Sequence, residues 1–410
     1  MQTLKINYEP PMTLHLVREA GVFRNDPVVV VDVGAKGGFQ SEWKVFGDQL
    51  RAFCFEPDEA EWRRLVATAP SGVQYLPFAL GREAGSATFY ENKVAASSGI
   101  YKTNMDYFSR LLNRDNGVVV RERSVKLVSL AEALQQAGVA AVDFIKLDVE
   151  GAELDILMGG EAYLRDARLL GVLSEVRFQE EINGSPVFSR LDLFLREYGL
   201  RLFDLQFYHQ SRHVLPYPGI QDYRTEAGER FFAYTTRGQI MDGDALYFRD
   251  FLLPANKAHA DCATPGQLLK AAAFFEIYGL NDCAAELIVA NRERLSKLLD
   301  CEVLLDLLTP QVRGARFPYR EYLDRYFDRR GGIFTGSPAA PAGAEAAIPH
   351  GGEAALTEEL RRVYASSSWR LTGPLRKMAS LLRRAMARSA LLRGVARPAR
   401  ALRGLLMRPR

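Results

Sequence analysis

The stretch that most constrains the fold of this chain is VVVVDVGAKGGF, residues 28–39. Four consecutive valines precede Asp32, and glycines follow at Gly34, Gly37 and Gly38. Such a continuous apolar run is typical of a central strand in a parallel sheet, which is covered on both faces. The glycines predict a tight turn in which the backbone can approach a ligand. We therefore predict an α/β fold that begins with a buried strand and a ligand-binding turn.

The spacing of the glycines separates two kinds of nucleotide-type ligand. A dinucleotide site has the pattern G-x-G-x-x-G, whereas this turn reads G-x-x-G-G after an acidic residue. S-adenosylmethionine (SAM) carries a sulfonium and an ammonium group but no pyrophosphate, so a carboxylate at the strand end suits it. The pattern favours SAM over a purely structural turn or another nucleotide. Gly34, Ala35 and Gly38 are predicted to hold the cofactor, and Asp32 to steer its sulfonium end.

A second strand supplies another candidate for cofactor binding. Residues 52–55 are apolar and are followed by Glu56, Pro57 and Asp58. In doubly wound folds, a carboxylate at the tip of the second strand accepts hydrogen bonds from ribose hydroxyls. Glu56 is therefore predicted to bind the ribose of SAM.

A third block, FIKLDVEGAELDILMGG at residues 144–160, combines a buried strand with the start of a helix. Ligands of open α/β sheets bind at the carboxyl ends of the strands, where Asp148 lies. A carboxylate there can orient or deprotonate a hydroxyl acceptor, so we predict a catalytic Asp148 supported by Glu150. Because acidic residues are also favoured at helix N-termini, Glu150 and Glu153 have a structural alternative. Lys146 is predicted to pair with Asp148 or with a neighbouring strand.

In this order, VDVGAKGG, AFCFEPD and the third block resemble the FkbM-type SAM-dependent methyltransferases over about residues 25–240. The resemblance implies a Rossmann-like class I methyltransferase sheet with an antiparallel insertion, and SAM as the cofactor. It also implies that Phe78 and Ala79 enclose the adenine, although Phe78 would fit a plain core equally well. The sequence departs from the family pattern at Lys36, where Asn is usual, and at Ser129, where Asp is usual.

The acceptor site is predicted in and around the insertion. Residues 81–127 have the short alternating strands and polar turns of such an insertion. Ser97 and Ser98 resemble the family's small-residue segment and are predicted to contact the acceptor, although an ordinary flexible loop explains them too. Glu175 is a further acceptor-binding candidate, or it caps a turn with Arg177.

Potential metal ligands give no coherent set. His209 and His213 have H-x-x-x-H spacing, but a third ligand and a helical face are lacking. We therefore predict no metal, and we assign His209 to substrate contact instead. The cysteines show no C-x-x-C spacing, which indicates reduced packing residues; they are Cys54, Cys262, Cys283 and Cys301.

With 410 residues, of which 48% are hydrophobic, the chain has material for more than one core. Residues 231–235 are predicted to form the final strand of the sheet, and from Asp242 onward the composition predicts helices. Apolar spacing places these helices at residues 265–278, 282–299 and 302–308, which suggests a small all-α domain. The Gly, Ala and Pro content around residues 331–353 predicts a disordered linker. The predicted division is a methyltransferase domain at 1–240, a helical domain at 241–330, a linker at 331–357 and a basic tail at 358–410.

The last fifty residues differ in charge from the rest of the chain. Residues 361–410 contain 13 Arg and one Lys without any acidic residue, so they carry +14 while residues 1–360 carry −11. From Pro374 onward the apolar and basic residues separate onto opposite sides of a helix, which predicts docking on an anionic membrane surface. Binding of nucleic acid is not predicted, because the basic residues lack interleaved aromatics. Docking onto the acidic body of this chain or of another copy is the alternative.

The segment SSSWRLTGPLR, residues 366–376, resembles a tail motif of bacterial glycosyltransferases and methyltransferases of surface-polysaccharide assembly. We interpret the chain as a SAM-dependent O-methyltransferase of a sugar hydroxyl in bacterial cell-surface polysaccharide biosynthesis. The acceptor would be a glycan or lipid-linked glycan. Without a signal peptide or a spanning apolar run, the expected location is cytoplasmic and peripheral, at the inner face of the membrane. A catalytically weak, membrane-tethered scaffold in a glycan-assembly complex is the alternative, and a small secondary metabolite is a third possible acceptor.

Overall fold

The computed structural model describes residues 4–220, 222–224, 230–232, 234–312 and 314–327. The predicted linker at 331–357, the basic tail at 358–410 and the tail motif lie outside the described residues. All the described residues belong to one compact unit. Within them, the structure contains no helix that is long and apolar enough to cross a membrane.

The described strands form a central sheet, a smaller sheet and a hairpin. They are β1 (Val28–Val33), β2 (Leu50–Phe55), β3 (Val73–Leu76), β4 (Ala79–Gly81), β5 (Gly85–Asn92), β6 (Val119–Ser129), β7 (Phe144–Leu147), β8 (Gly171–Arg177), β9 (Leu200–Gln210), β10 (Asp222–Arg224), β11 (Arg230–Phe232) and β12 (Gln239–Arg249).

The central sheet has the strand order β3-β2-β1-β7-β8-β12-β9. Neighbouring strands from β3 to β8 are parallel, while β12 runs antiparallel to both β8 and β9. Helices cover both of its faces. This open, mostly parallel sheet confirms the predicted Rossmann-like fold.

The described helices are interspersed with the strands up to α7, strands β9 to β12 follow, and the helices after β12 succeed one another. They are α1 (Pro11–Leu14), α2 (Glu59–Ala67), α3 (Met105–Phe108), α4 (Leu130–Gln136), α5 (Glu153–Gly159), α6 (Glu161–Arg165), α7 (Phe188–Glu197), α8 (Lys257–Cys262), α9 (Pro265–Ile277), α10 (Asn281–Ala290), α11 (Arg292–Leu295), α12 (Cys301–Leu308) and α13 (Tyr319–Phe327). A π-helical turn, His15–Glu19, continues α1, and 3-10 segments lie at Ser41–Gln49, Ala95–Ser97, Arg114–Gly117 and Pro254–Asn256.

The valine run of β1 is buried on both faces, as its composition predicts. Val28 and Val30 belong to the core on one side of the sheet. Val31 and Val33 belong to the core on the other side, together with residues of α4 to α7. Because successive side chains of a strand point to opposite faces, one apolar run supplies both cores.

The late helices cover one face of the central sheet. On this face the ring of Phe144 in β7 stacks on Phe274 of α9, with centroids 4.7 Å apart, and on Tyr278, with centroids 5.5 Å apart. Thr264 and Gln267 form a capping box at the start of α9, so this predicted helix is confirmed. The domain boundary placed at residue 240 falls inside β12, and the helices after it share a core with the sheet.

The final strand of the sheet differs from the sequence prediction. The sequence predicts this strand at residues 231–235 and helices from Asp242, but among the described residues Arg230–Phe232 pairs with β10 in a hairpin. The last strand is β12, which inserts between β8 and β9. Two aspartates and a glycine interrupt its apolar pattern, which hides a strand from a periodicity argument. Asp242 and Asp244 each line a cavity.

The insertion forms a three-stranded sheet in the order β4-β6-β5. β5 and β6 are antiparallel, as predicted, whereas β4 pairs with β6 in parallel. Ser129, at the end of β6, caps α4: its hydroxyl accepts from the Glu132 N–H, and the Glu132 carboxylate accepts from the Ser129 N–H. The serine that replaces the usual Asp of the family pattern is thus a working helix cap.

Candidate active site

A cavity of about 840 Å³ lies at the carboxyl ends of β1, β2 and β7. This is the edge at which open α/β sheets bind their ligands. Many of the residues predicted from sequence line it: Gly34, Glu56, Phe78, Ala79, Ser98, Asp148, Glu150 and Glu175. We call it the donor cavity, because four of the residues predicted to hold SAM line it: Gly34, Glu56, Phe78 and Ala79.

The glycine turn brings β1 against β7. Gly34 has φ +82°, and a Cβ atom there would lie 1.9 Å from the carbonyl oxygen of Asp148. The N–H groups of Gly34 and Ala35 both donate to the carbonyl of Phe55, at 3.2 and 3.1 Å. Ala35 and Gly38 shape the turn but are not among the residues that line the donor cavity. Only glycine permits the close approach at position 34.

Asp32 lies behind the turn instead of facing the cavity. It is fully buried, and its carboxylate accepts from the Gln40 N–H at 3.2 Å. Lys146, its register partner on β7, places Nζ 3.2 Å from that carboxylate. Burial raises the pKa of Asp32, while the Lys146 ammonium opposes the rise. Asp32 therefore does not line the donor cavity, where the predicted contact with the SAM sulfonium would have to form.

Lys146 connects three parts of the site. Besides Asp32, its Nζ lies 3.6 Å from the Asp148 carboxylate and donates to the carbonyl of Gly34 at 3.3 Å. Burial opposes its charge, but the Asp32 and Asp148 carboxylates raise the pKa of Lys146 above its usual range. The lysine stays protonated and ties the glycine turn to the end of β7.

The residues present fit SAM. Glu56 is buried in the wall at the end of β2, and its Oε1 accepts from the Asp58 N–H at 2.8 Å. Burial raises its pKa. Phe78 and Ala79 add apolar surface beside it. A carboxylate for ribose hydroxyls next to an apolar wall for a base is the arrangement that the cofactor requires.

The turn after β7 is held in an unusual conformation. Glu150 has φ +60° and is the one non-glycine residue with positive φ among those described. The Glu153 carboxylate accepts from the N–H groups of Val149 and Gly151, at 3.1 to 3.2 Å. The Glu150 carboxylate lies 2.5 Å from the Arg177 guanidinium. Strain of this kind persists where surrounding contacts fix the backbone, which is common at functional sites.

Acidic groups converge next to Asp148, whose side chain is half exposed. Carboxylate oxygens of Asp148, Glu150 and Glu175 lie within 4.8 Å of one another, a spacing that a cation can bridge. Burial raises the pKa of Glu150 to about 8 against the pull of Arg177, and it raises the pKa of Glu175 well above its ordinary value. The carboxyl groups of Glu150 and Glu175 therefore resist being ionised at the same time.

The sequence analysis did not single out several residues of this site. Asp244 lines the donor cavity, and burial, with a smaller contribution from Asp148, raises its pKa to about 6. Tyr208 and Tyr234 also line it, with stacked rings whose centroids are 4.0 Å apart. Arg177 was considered only as a turn partner. These residues lie on β8, β9, β12 and the segment before β12, and no local motif marks them.

The predicted acceptor residues are distributed unevenly. Ser98 lines the donor cavity and accepts from the Asn92 N–H at 3.0 Å. Ser97 lines a second, neighbouring cavity. His209 lines neither; its ring packs edge-on against Phe207. Lys36, the other departure from the family pattern, is exposed at the rim of the donor cavity.

Residues 32–202 match the family model described as the methyltransferase FkbM domain. No curated protein sequence matches the chain.

Three solved structures resemble part of this chain at low sequence identity. EvdMO1 has 10% identity and a TM-score of 0.23, with 58% of this chain and 41% of that one covered. A 1,6-didemethyltoxoflavin-N1-methyltransferase from Burkholderia thailandensis, with S-adenosylhomocysteine bound, has 12% identity and a TM-score of 0.23, with 59% and 79% covered. A SAM-dependent methyltransferase from Aquifex aeolicus has 11% identity and a TM-score of 0.22, with 60% and 100% covered.

TM-scores this low carry no argument about function, so the assignment depends on the family match and on the geometry. The chain spans less than half of EvdMO1. The match over residues 32–202 supports the FkbM methyltransferase family for this chain, with SAM as its cofactor.

Proposed function

We propose that this protein is a SAM-dependent O-methyltransferase that acts on a sugar hydroxyl in bacterial cell-surface polysaccharide biosynthesis. The observation that carries the proposal is the position of Asp148. Its half-exposed carboxylate lines the same cavity as Gly34 and Glu56, at the carboxyl end of the strand next to β1. A hydroxyl acceptor must lose its proton during methyl transfer, and in this proposal the Asp148 carboxylate accepts it.

Each residue has a separable role in this proposal. SAM, when bound, supplies a methyl group activated by its sulfonium. Glu56 binds the ribose hydroxyls, and the Gly34 turn forms the floor of the site. Lys146 holds the Asp148 carboxylate through their ion pair at 3.6 Å, and Asp148 would accept the proton of the acceptor hydroxyl. Much of the rate would come from this positioning of donor and acceptor.

A sugar acceptor is supported by the polar and aromatic character of the remaining walls. Glu175 and Ser98 offer hydrogen-bonding groups, and the stacked Tyr208 and Tyr234 offer an aromatic surface for the apolar face of a sugar ring. The extension to surface polysaccharide derives from the tail motif in residues 366–376 and from the basic tail that contains it.

Titration calorimetry of SAM into the full-length protein tests the cofactor assignment. We expect wild type to bind SAM, and Glu56→Ala to weaken binding by about ten- to a hundredfold, because charge-assisted hydrogen bonds are lost. Glu59→Ala is the matched control, since Glu59 lies on the exposed side of α2. A folded wild-type protein that binds no SAM would favour the alternative function, a methyltransferase-fold scaffold in a glycan-assembly complex.

Peripheral attachment to the inner face of the cytoplasmic membrane is the second part of the proposal. It is supported by the +14 charge of residues 361–410. Flotation with vesicles that contain phosphatidylglycerol should recover the wild-type protein at low salt, with recovery falling as salt rises. Replacing Arg383, Arg384 and Arg388 by Ser should reduce recovery, and equal recovery with neutral vesicles would contradict electrostatic docking.

A further inference from the structure

A second cavity of about 200 Å³ adjoins the donor cavity. Ala96, Glu150, Glu175 and Tyr234 line both cavities, so they form the wall between them. At roughly 30 Å³ per water, the second cavity has the volume of about seven water molecules, enough for part of one sugar unit. We call it the side chamber.

The side chamber is strongly acidic. Four carboxylates line it, those of Glu150, Glu175, Glu181 and Asp242, against the single guanidinium of Arg177 among the described lining residues. That guanidinium is already engaged, at 2.5 Å from Glu150, 3.0 Å from Glu175 and 3.5 Å from Glu181. The fully ionised described lining would therefore carry three uncompensated negative charges.

Unpartnered acceptor atoms also line this chamber. Gln210 Oε1, Glu181 Oε2 and Asp242 Oδ1 are buried without a hydrogen-bond partner within the described part of the chain. Their residues are 5%, 4% and 8% exposed, and all three line the chamber. Buried polar atoms are nearly always paired, so orphaned ones call for a ligand or water that completes them. When Glu181 and Asp242 are ionised, these three atoms are acceptors, and Arg177 Nε is a buried donor of the same lining that also lacks a hydrogen-bond partner. Acceptors therefore outnumber donors among these atoms, and a ligand with several hydrogen-bond donors would complete them.

The pKa shifts of the lining carboxyl groups point to the same kind of ligand. Burial raises the pKa of Asp242 well above its ordinary value, and Glu181 and Glu150 add to the rise while Arg177 opposes it. Burial raises the pKa of Glu181 too, against the pull of Arg177. A cation in the chamber would favour the ionised carboxylates and gain Coulomb energy from them in a site of low dielectric constant.

We propose that the side chamber binds the protonated amino group of the acceptor, so that the methylated unit is an amino sugar. This inference rests on the proposed function, since it assumes methyl transfer in the donor cavity. An ammonium group supplies three donors and a positive charge, which matches the three orphan acceptors and the excess of carboxylates. A sugar acid or a phosphorylated sugar would be repelled by the same carboxylates, because Arg177, the cation among the described lining residues, is already paired with glutamates.

The geometry lets one sugar ring reach both sites. Asp148 faces the donor cavity, while Glu150 and Glu175 lie in the shared wall, and the carboxylate oxygens of the three lie within 4.8 Å of one another. A hydroxyl at Asp148 and an ammonium group on a neighbouring ring carbon can therefore be held together. The amine would anchor the ring and select which hydroxyl faces the donor.

Binding of simple sugars to the full-length protein, saturated with S-adenosylhomocysteine, tests the inference. We would measure glucosamine, N-acetylglucosamine, glucose and glucuronate by saturation-transfer NMR. Glucosamine should bind about tenfold more tightly than glucose or N-acetylglucosamine, which lack the ammonium group, and glucuronate should bind most weakly. Equal affinity for glucosamine and N-acetylglucosamine would overturn the inference.

Charge-removing variants locate the site. Asp242→Asn and Glu181→Gln should each abolish the preference for glucosamine, whereas Asp204→Asn, which removes a carboxylate of β9 outside both cavities, should keep it. SAM affinity reports the fold of every variant, because neither Asp242 nor Glu181 lines the donor cavity. If one of these two variants does not fold, the glucosamine preference of the other variant decides the test.

Two further outcomes separate the possible failures. If the folded wild-type protein does not bind SAM, the proposed function itself is wrong. If the wild-type protein binds SAM but does not prefer glucosamine to glucose and N-acetylglucosamine, only the amino-sugar inference is wrong. A Mg²⁺ titration that shows binding to the wild type, lost in Asp242→Asn, with no amine preference, would instead assign the chamber to a divalent cation and overturn the inference.

Discussion

The Nζ atom of Lys146 lies 3.2 Å from the Asp32 carboxylate, deep in the sheet and behind the glycine turn. The two residues are register partners on adjacent parallel strands. Asp32 is fully buried, whereas Asp148, the other partner of Lys146, is half exposed. The pair is therefore asymmetric: losing the lysine isolates a buried carboxylate, but losing Asp32 leaves the lysine with Asp148.

This asymmetry predicts unequal effects on stability. Lys146→Met should lower the free energy of unfolding by about 3–5 kcal/mol, because it leaves Asp32 buried and uncompensated. Asp32→Asn should cost less, and the double variant should recover part of the loss of Lys146→Met. Urea unfolding of the four proteins measures this. If Asp32→Asn were the more destabilising single change, the assignment of Asp148 as the second partner would be wrong.

The glycine turn predicts a contrast between two glycines of similar conformation. Gly34 and Gly37 have φ of +82° and +86°, but a Cβ atom at Gly34 would meet the Asp148 carbonyl at 1.9 Å, while one at Gly37 meets nothing within 4 Å. Gly37→Ala should cost about 1–2 kcal/mol for the left-handed conformation alone. Gly34→Ala should cost more and also weaken SAM binding, since β1 and β7 must separate. Thermal unfolding and calorimetry compare the two, and equal losses would argue against the close approach.

Asp148→Asn separates binding from chemistry. We expect the variant to bind SAM with nearly wild-type affinity and to transfer methyl groups about 10²- to 10⁴-fold more slowly, because the amide cannot accept the hydroxyl proton. Formation of S-adenosylhomocysteine with the best acceptor of the wild-type protein is the measurement. Asp115→Asn, an exposed carboxylate outside both cavities, is the control and should leave the rate unchanged. Full activity of Asp148→Asn would remove this residue from the mechanism.

Asp244 predicts a pH dependence of stability. Burial raises its pKa from 3.8 to about 6. As pH rises, the unfolded chain therefore loses this proton first, and the folded chain loses it later. The carboxyl group thus lowers the free energy of unfolding between about pH 4 and about pH 6, by about 3 kcal/mol in all.

Asp244→Asn should abolish this contribution. Compared with wild type, the variant should gain stability progressively from about pH 4 to about pH 6, and the difference should be constant above that range. Urea unfolding at several pH values measures it. Parallel pH profiles of the two proteins would mean that the Asp244 carboxyl group titrates alike in the folded and unfolded chains.

Much of the donor cavity could be predicted from short stretches of sequence. The valine run with its glycines, the Glu56 segment and the third block each contain a strand together with the turn that follows it. In a parallel sheet such turns gather at one edge, so Gly34, Glu56 and Asp148 could be placed together from the order of the segments alone. Ser129 was read as a departure from a family pattern, but it caps α4.

The orientation of Asp32 shows where sequence reasoning stopped. A carboxylate at the end of a strand can point to the ligand or into the sheet, and the choice depends on which neighbour pairs with it. The register of β1 with β7 puts Lys146 beside Asp32, and that pairing directs the carboxylate inward. Strand register is a property of two distant segments, so the sequence around residue 32 does not reveal it.

By itself, the sequence determined the strand and turn segments of the donor cavity and the opposition of charge between tail and body, because each depends on neighbouring residues. Only the tertiary structure decided that β12 enters the sheet, that the late helices cover one of its faces, and that the acids of the side chamber meet. Glu150 follows β7 and Asp242 lies on β12, and the pairing of these two strands with β8 brings both residues to Arg177, which lies four residues before Glu181. Long-range pairing minimises the free energy of the whole core, which no local pattern encodes.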